Sequence, residues 1–246
     1  RRVRGGWVVD GTLDWVTSWD IADWFLLMVQ DADHARVVSA ILPAGRGQVA
    51  GGIPGLIPGE RLDLLAMSGT HTRPVRLDGV RIHDQDVLSV EDLDQWRARD
   101  EQRTAQVNPA IFGIARGALA DLDLLAERRS SARLRRACDH LVEDVRDCRR
   151  QAYALADSPS WPGSQAADVA DVPERLRLRA RALQLAQRAT TTLIVAQSGS
   201  ATLRGCAAER RAREALFMHV QAQTSAAADA YLEATLPSWE SITASR

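Results

Sequence analysis

Lysine is absent: every one of the 31 basic residues in the 246-residue chain is arginine. That rules out a Schiff-base lysine, a lysine general base and a P-loop lysine. Cysteine is sparse, and Cys138, Cys148 and Cys206 are odd in number and lack CxxC spacing. The pattern speaks against a disulfide framework and against a zinc ribbon, and it suits a reducing, cytoplasmic setting. Long apolar runs are missing too. None reaches the roughly 18 residues of a bilayer span, and the opening "RRVRGG" has no apolar stretch of the kind that follows the arginines of a secretory leader. No membrane association is expected. A chain that opens on Arg1 also lacks an initiating Met, so a fragment of a longer protein is expected. Net charge is only −1, with 31 basic and 32 acidic residues interspersed, so no overall field favours nucleic acid. GxSxG, HExxH, P-loop and acid-followed GxGxxG signatures do not occur. The five histidines, at 34, 71, 83, 140 and 219, are too scattered to predict a metal site.

What is present is an ordinary globular composition, 46% hydrophobic and 26% charged, with room for one large domain or two small ones. Residues 6–83 read as short strands. "GGWVVDG", "LDWVTS", "ADWFLLMV", "ARVVSAIL" and "TRPVRLDGVRI" are β-rich runs cut by Gly, Asp or Pro turns, several of them alternating. The stretch "PAGRGQVAGGIPGLIPGE", 43–60, reads as a surface crossing with room for a short strand near Val49, and "HDQD", 83–86, as a solvated turn. Beyond Val87 the period becomes helical. One stripe carries Ile111, Ala115, Ala118, Leu122 and Leu125; another carries Leu176, Ala180, Leu183, Ala186, Thr190 and Leu193. Two more long helices are expected over 131–156 and 205–234. The fold class is therefore α+β: a small antiparallel β-barrel or sandwich over 1–88, then an antiparallel four-helix bundle over 89–246, the seam lying near 88–104.

The stretch "GTLDWVTSWDIADW", 11–24, concentrates three of the seven tryptophans. Alternation alone places such indoles in a sandwich core. The other reading is a strand edge on which a flat ring lies, Trp15 supplying stacking area and Thr17 a hydrogen bond.

Resemblance favours the second reading. "GGWVVDGTLDWVTSWDIADWFLLMV" resembles the middle β-domain of the acyl-CoA dehydrogenase superfamily, and Trp15 and Thr17 fall on that family's flavin-facing Trp and Thr, followed by Ser18. "MSGTHTRPVRLDGVRI" resembles its closing strand and "FGIARGAL" the helix opening its C-terminal bundle. "AQSGSA" resembles the Gln and Gly-rich turn near the adenosine end of FAD, which puts Gln197 and Gly199 there. The order and spacing hold over nearly the whole chain. The resemblance implies a flavoprotein using FAD (or FMN), an oxidoreductase acting on the CH-CH group of an acyl thioester, and a homo- or hetero-oligomer joined through its helical bundles. It also implies that the family's N-terminal helical domain and first β-strands precede Arg1.

Three departures bear on activity. Leu13 stands in place of the family's Lys. The Arg-x-x-Phe-Gly that grips the FAD pyrophosphate is replaced by "ERRSSARLRR", with Arg129 or Arg133 as substitutes. The usual Glu base, aligned through Arg213-Glu214 and Thr224-Ser225, is Ala222, and "QVNPAIFGIARG" offers no carboxylate in its stead. A weakened dehydrogenase is expected. The alternatives are a flavin-dependent monooxygenase of the same superfamily with His219 handling the proton, and a non-catalytic subunit paired with an active homologue. His219 also reads simply as a histidine on the bundle seam.

Overall fold

Alternating apolar residues set one face of each long strand in the computed structural model, which describes residues 1–43, 52–157 and 171–236. One antiparallel sheet has the order β1 (Arg2–Val3), β2 (Gly6–Val16), β6 (Arg73–His83), β5 (Leu56–Pro58). A second runs β3 (Trp24–Asp31), β4 (Arg36–Pro43), β7 (Val87–Asp92). Trp7, Val9, Val75, Leu77, Val80 and Ile82 of the first sheet share one buried cluster with Leu27, Val38, Ala40 and Leu42 of the second. The two sheets thus make a sandwich, and among the described residues they do not close into a barrel. The two short runs expected at 6–18 are one eleven-residue strand. Val49 lies outside the described residues, and the strand found after it is β5.

Among the described residues six α-helices follow: α1 (Leu93–Thr104), α2 (Pro109–Arg128), α3 (Ala132–Ala156), α4 (Val172–Gln197), α5 (Ala207–Val220) and α6 (Ser225–Glu233). The chain divides into units 1–98 and 99–246, a division that falls inside α1. The boundary expected at 88 cuts β7, whose Val90 pairs with Val38 of β4, so the sandwich keeps residues that were assigned to the bundle. Side-chain caps start four of the helices, Asp92 Oδ1 accepting from Asp94 N and Gln95 N at the head of α1. Asn108 Oδ1 accepts from Ala110 N at 2.9 Å, with Pro109 opening α2; Ser131 caps α3 and Thr224 caps α6. The stripe on α2 is buried as expected, with Leu125 packed against the cluster from its edge. On α4, Ala180, Leu183, Ala186, Thr190 and Leu193 are buried, Leu176 is half-buried, and Arg175 and Arg179 take the core-facing positions beside it.

The single helix expected over 205–234 is two. The chain leaves α5 at Val220, turns through Ala222 with φ +49°, and restarts at the Thr224 cap. The four expected helices therefore become α1 and a short α6 added to the larger packing of α2, α3, α4 and α5.

Burial separates the three thiols. Cys138 and Cys148 are buried, and Cys206 is partly open. Desolvation pushes the Cys148 thiol up to about 11, offset in part by Arg181. At pH 8 only about one Cys148 in a thousand is then a thiolate, the form that reacts. Titration of the native protein with a thiol reagent at that pH is expected to modify Cys206 first, with Cys148 released only on unfolding; rapid labelling of Cys148 would contradict its burial. The sign on stability follows. A raised thiol pKa gives a contribution that is full below the unfolded value and is lost as pH rises through about 11, so Cys148→Ala is expected to flatten the alkaline loss of stability.

Candidate functional site

A bulge decides where Trp15 points. Leu13 pairs with Val75 and Val16 with Arg73, so Asp14 and Trp15 together oppose Pro74 alone. Proline has no N–H for the ladder, which suits it to such a position. The extra residue breaks the alternation: Leu13 and Val16, three apart, both pack on the sandwich cluster, and Trp15 between them is 64% exposed. Strict alternation from Trp7 and Val9 would have turned it inward.

The turn after β2 places the remaining residues of the tryptophan-rich stretch. Ser18, at φ +65°, donates from its N–H to Thr70 O at 2.7 Å and accepts from Ile21 N and Ala22 N. Trp19 inserts into the core at 2% exposure, its ring 5.7 Å from that of Phe25. Arg73 donates to Asp20 from Nε and Nη2, tying the turn to β6. Thr17 is exposed and Ser18 half-buried. Of the three indoles, then, one anchors the sandwich and two, Trp15 and Trp24, stand outside it.

The expected helical-unit residues fall at two places. Gln197 ends α4, where its Oε1 accepts from Cys206 Sγ at 3.4 Å. Gly199 is exposed in the short turn that follows, with nothing near the position of a Cβ. Arg129 donates to Ala196 O at 2.6 Å, so it caps the end of α4. That contact removes it from service as a free pyrophosphate clamp.

The second place is the α5–α6 turn. His219 sits near the end of α5 with Nδ1 2.9 Å from Ala215 O and its ring edge-on to Tyr231, 5.1 Å between centroids. It is a seam histidine between α5 and α6. Ala222, exposed and left-handed, lies beyond the helix, so it and His219 do not share one helical face. The turn is held from below by Arg179, 5% exposed, which donates to Gln221 O at 2.7 Å, to Ala222 O at 3.0 Å and, through Nη1, to Thr104 O. Asn108 Nδ2 adds a bond to Gln221 Oε1 at 3.1 Å. Burial lowers the Arg179 pKa, since no carboxylate is among its partners. Sequence reading missed this network. Its only trace was a pair of arginines, 175 and 179, spaced one turn apart on the apolar side of α4. Among the described residues, no group of His, Cys, Asp and Glu is arranged to hold a metal ion. No helix there is long and apolar enough to cross a membrane.

An antiparallel sandwich followed by packed antiparallel helices, with an indole presented from a bulged strand end, defines an α+β class of known proportions. A similar fold occurs in butyryl-CoA dehydrogenase from Megasphaera elsdenii, with a TM-score of 0.71 and 18% identity over 93% of this chain and 60% of that one. A chain from the electron transferring flavoprotein work on Acidaminococcus fermentans matches with a TM-score of 0.72 and 18% identity, over 96% of this chain and 62% of that one. A glutaryl-CoA dehydrogenase from Mycobacterium smegmatis, solved in complex with FADH2, matches with a TM-score of 0.71 and 16% identity, over 95% of this chain and 59% of that one. In sequence, benzylmalonyl-CoA dehydrogenase from Aromatoleum aromaticum is 28% identical over 122 residues, 48% of this chain and 30% of the relative. No protein-family model matches. The chain has the fold of acyl-CoA dehydrogenases, as the sequence resemblance implied, and it spans about three fifths of the length of these solved structures.

Proposed function

We propose that the chain acts as part of an acyl-CoA dehydrogenase-like flavoprotein, an oxidoreductase working on the CH-CH group of an acyl thioester, with FAD as its cofactor. The observation that carries this reading is the Asp14–Trp15 bulge, which costs the sandwich a core indole and presents it at the surface beside Thr17. The residues fit the ring of a flavin: an exposed indole for stacking, and an adjacent hydroxyl and backbone for hydrogen bonds. Within the helical unit Gly199 leaves open backbone for a phosphate-bearing ligand to approach, and Gln197 offers its amide nitrogen while its oxygen engages Cys206. Bound FAD would supply the hydride acceptor. The chain's own task would be to hold the ring and to take the substrate's proton, and for the second task the Gln221–Thr224 turn carries no carboxylate.

That absence favours a slow enzyme, or a non-catalytic subunit that pairs with an active homologue through the bundle. The monooxygenase reading has less support, because His219 is engaged by Ala215 O and packed on Tyr231. A cytoplasmic setting and oligomerisation through the helical unit belong to the same proposal.

The test is flavin titration followed by the visible absorption band and tryptophan quenching. Trp15→Ala is expected to weaken FAD binding by about tenfold, the equivalent of losing one stacked ring, and Trp15→Phe to restore most of it. Trp24→Ala, which removes an equally exposed indole, should leave affinity unchanged. Equal effects of the two alanine variants, or no saturable FAD binding by the native protein, would reject the assignment.

A further inference from the structure

Between α2 and α3 the helical unit holds a groove of 760 Å³ that none of the residues discussed above explains. It runs along α2 from Pro109 to Asp123, roughly 21 Å at the helical rise. Its floor is apolar and buried: Phe112, Leu119 and Val145 are each under a tenth exposed. At one end Phe112 and Tyr153 meet edge-on with centroids 6.0 Å apart. The mouth stays open because α2 presents Gly113 and Ala120 there, and a Cβ at Gly113 would meet nothing within 4 Å.

The rim is cationic and unpaired. Arg116, Arg146 and Arg149 line it, and Arg149 lies over the Tyr153 ring at 5.2 Å. Among the described residues, none of the three has a carboxylate partner, whereas Arg135, Arg150, Arg177, Arg181, Arg211 and Arg213 of the same unit all have one. One of the two rim carboxylates, Asp123, is taken by Arg135, leaving Asp139 against three guanidinium groups. A trough of this volume is the size of a small-molecule site, and its chemistry is that of a long apolar floor under a surplus of positive charge.

We propose that the α2–α3 groove binds an anionic amphiphile, a molecule with an extended apolar body along α2 and a carboxylate or phosphate head at Arg146 and Arg149. The site does not depend on flavin binding or on the α5–α6 turn. Arginine suits it because a planar guanidinium pairs in bidentate fashion with either head group, and stacking on Tyr153 keeps one of them in place.

Calorimetric titration with decanoate, decyl phosphate, decanol and decyltrimethylammonium tests the proposal, using monomeric ligand below its aggregation threshold. Both anions are expected to saturate one site, the tighter of the two naming the head group, and the alcohol and the cation to bind at least tenfold more weakly. Arg146→Glu combined with Arg149→Glu should weaken the anions by at least tenfold, and Arg128→Glu, an exposed change outside the groove, should not. Gly113→Leu fills the trough from a position with free space, so it should abolish binding while leaving the melting temperature intact. Cation binding as tight as anion binding, no saturation by either anion up to about 1 mM, or indifference to both the charge reversal and Gly113→Leu would each overturn the proposal.

Discussion

Ala222→Glu is expected to raise the rate at which an acyl-CoA reduces the bound flavin by about 10²–10⁴-fold, the usual worth of a positioned general base. The substitution restores a carboxylate at the one position in the α5–α6 turn where the family resemblance puts a base. The turn accepts it. Ala222 is exposed and already left-handed, so a longer side chain meets solvent and adds no new backbone strain. Arg179, bonded to the Ala222 carbonyl at 3.0 Å, fixes the backbone from which the new side chain departs. Stopped-flow bleaching of the oxidised flavin band with a panel of acyl-CoAs is the measurement. Ala222→Gln, equal in size and without basicity, should gain nothing, and Ala222→Gly should gain only stability, about 1 kcal/mol from relief of the left-handed strain. Rapid bleaching by the unaltered protein would show that its proton goes elsewhere and would end the argument for a missing base.

The largest loss of stability among single polar substitutions is expected at Arg179. Its guanidinium donates to carbonyls of Thr104, Gln221 and Ala222, three acceptors that nothing else in the turn is seen to serve. Arg179→Met keeps the apolar stem and strands these carbonyls at a cost of about 1–3 kcal/mol each where they stay dry. Removing a buried cation that has no counter-ion returns part of this, because that charge was itself expensive to bury. The expected net loss is about 3 kcal/mol in urea unfolding, with hydrogen exchange faster at the start of α6 than in α2. Arg179→Lys should recover less than half, since one ammonium does not span three carbonyls in a fixed plane. A methionine variant as stable as the parent would mean that water reaches the turn and that the guanidinium is not what holds it.

The stripes on α2 and α4 were legible because burial on a helix repeats every three to four residues, and a continuous apolar face needs no tertiary information. Long strands around Val75 and Val38 were legible for the same reason at period two. What escaped was set by single residues acting across the chain. The outward turn of Trp15 depends on Pro74, some sixty positions away, failing to offer an N–H; periodicity within residues 11–24 alone favoured the core, and only the family resemblance pointed outward. The break at Ala222 has no glycine or proline to announce it. Thr224 was a usable cap signal, but the turn is fixed by Arg179, whose burial no local pattern in α4 reveals. Of the candidate site, Trp15 and Thr17, proposed to meet the flavin, were named from sequence, while Asn108, Gln221 and Arg179 emerged only from their geometry.

The pairing of β2 with β6 also has a consequence in time. Gly6 stands opposite His83, and the partners along this ladder are separated by more than half a hundred residues of intervening chain. Closing so long a loop is entropically slow, and few contacts repay it until most of the sandwich is in place. Some helices meet sequence neighbours, as α2 does α3 and α4 does α5, although α2 also packs on the distant α4. During synthesis the sandwich cannot complete its first sheet until β6 has left the ribosome, so the Trp15 end of β2 spends that interval without its partner strand. The strand proposed to carry the flavin is therefore also open to misassociation before folding is finished.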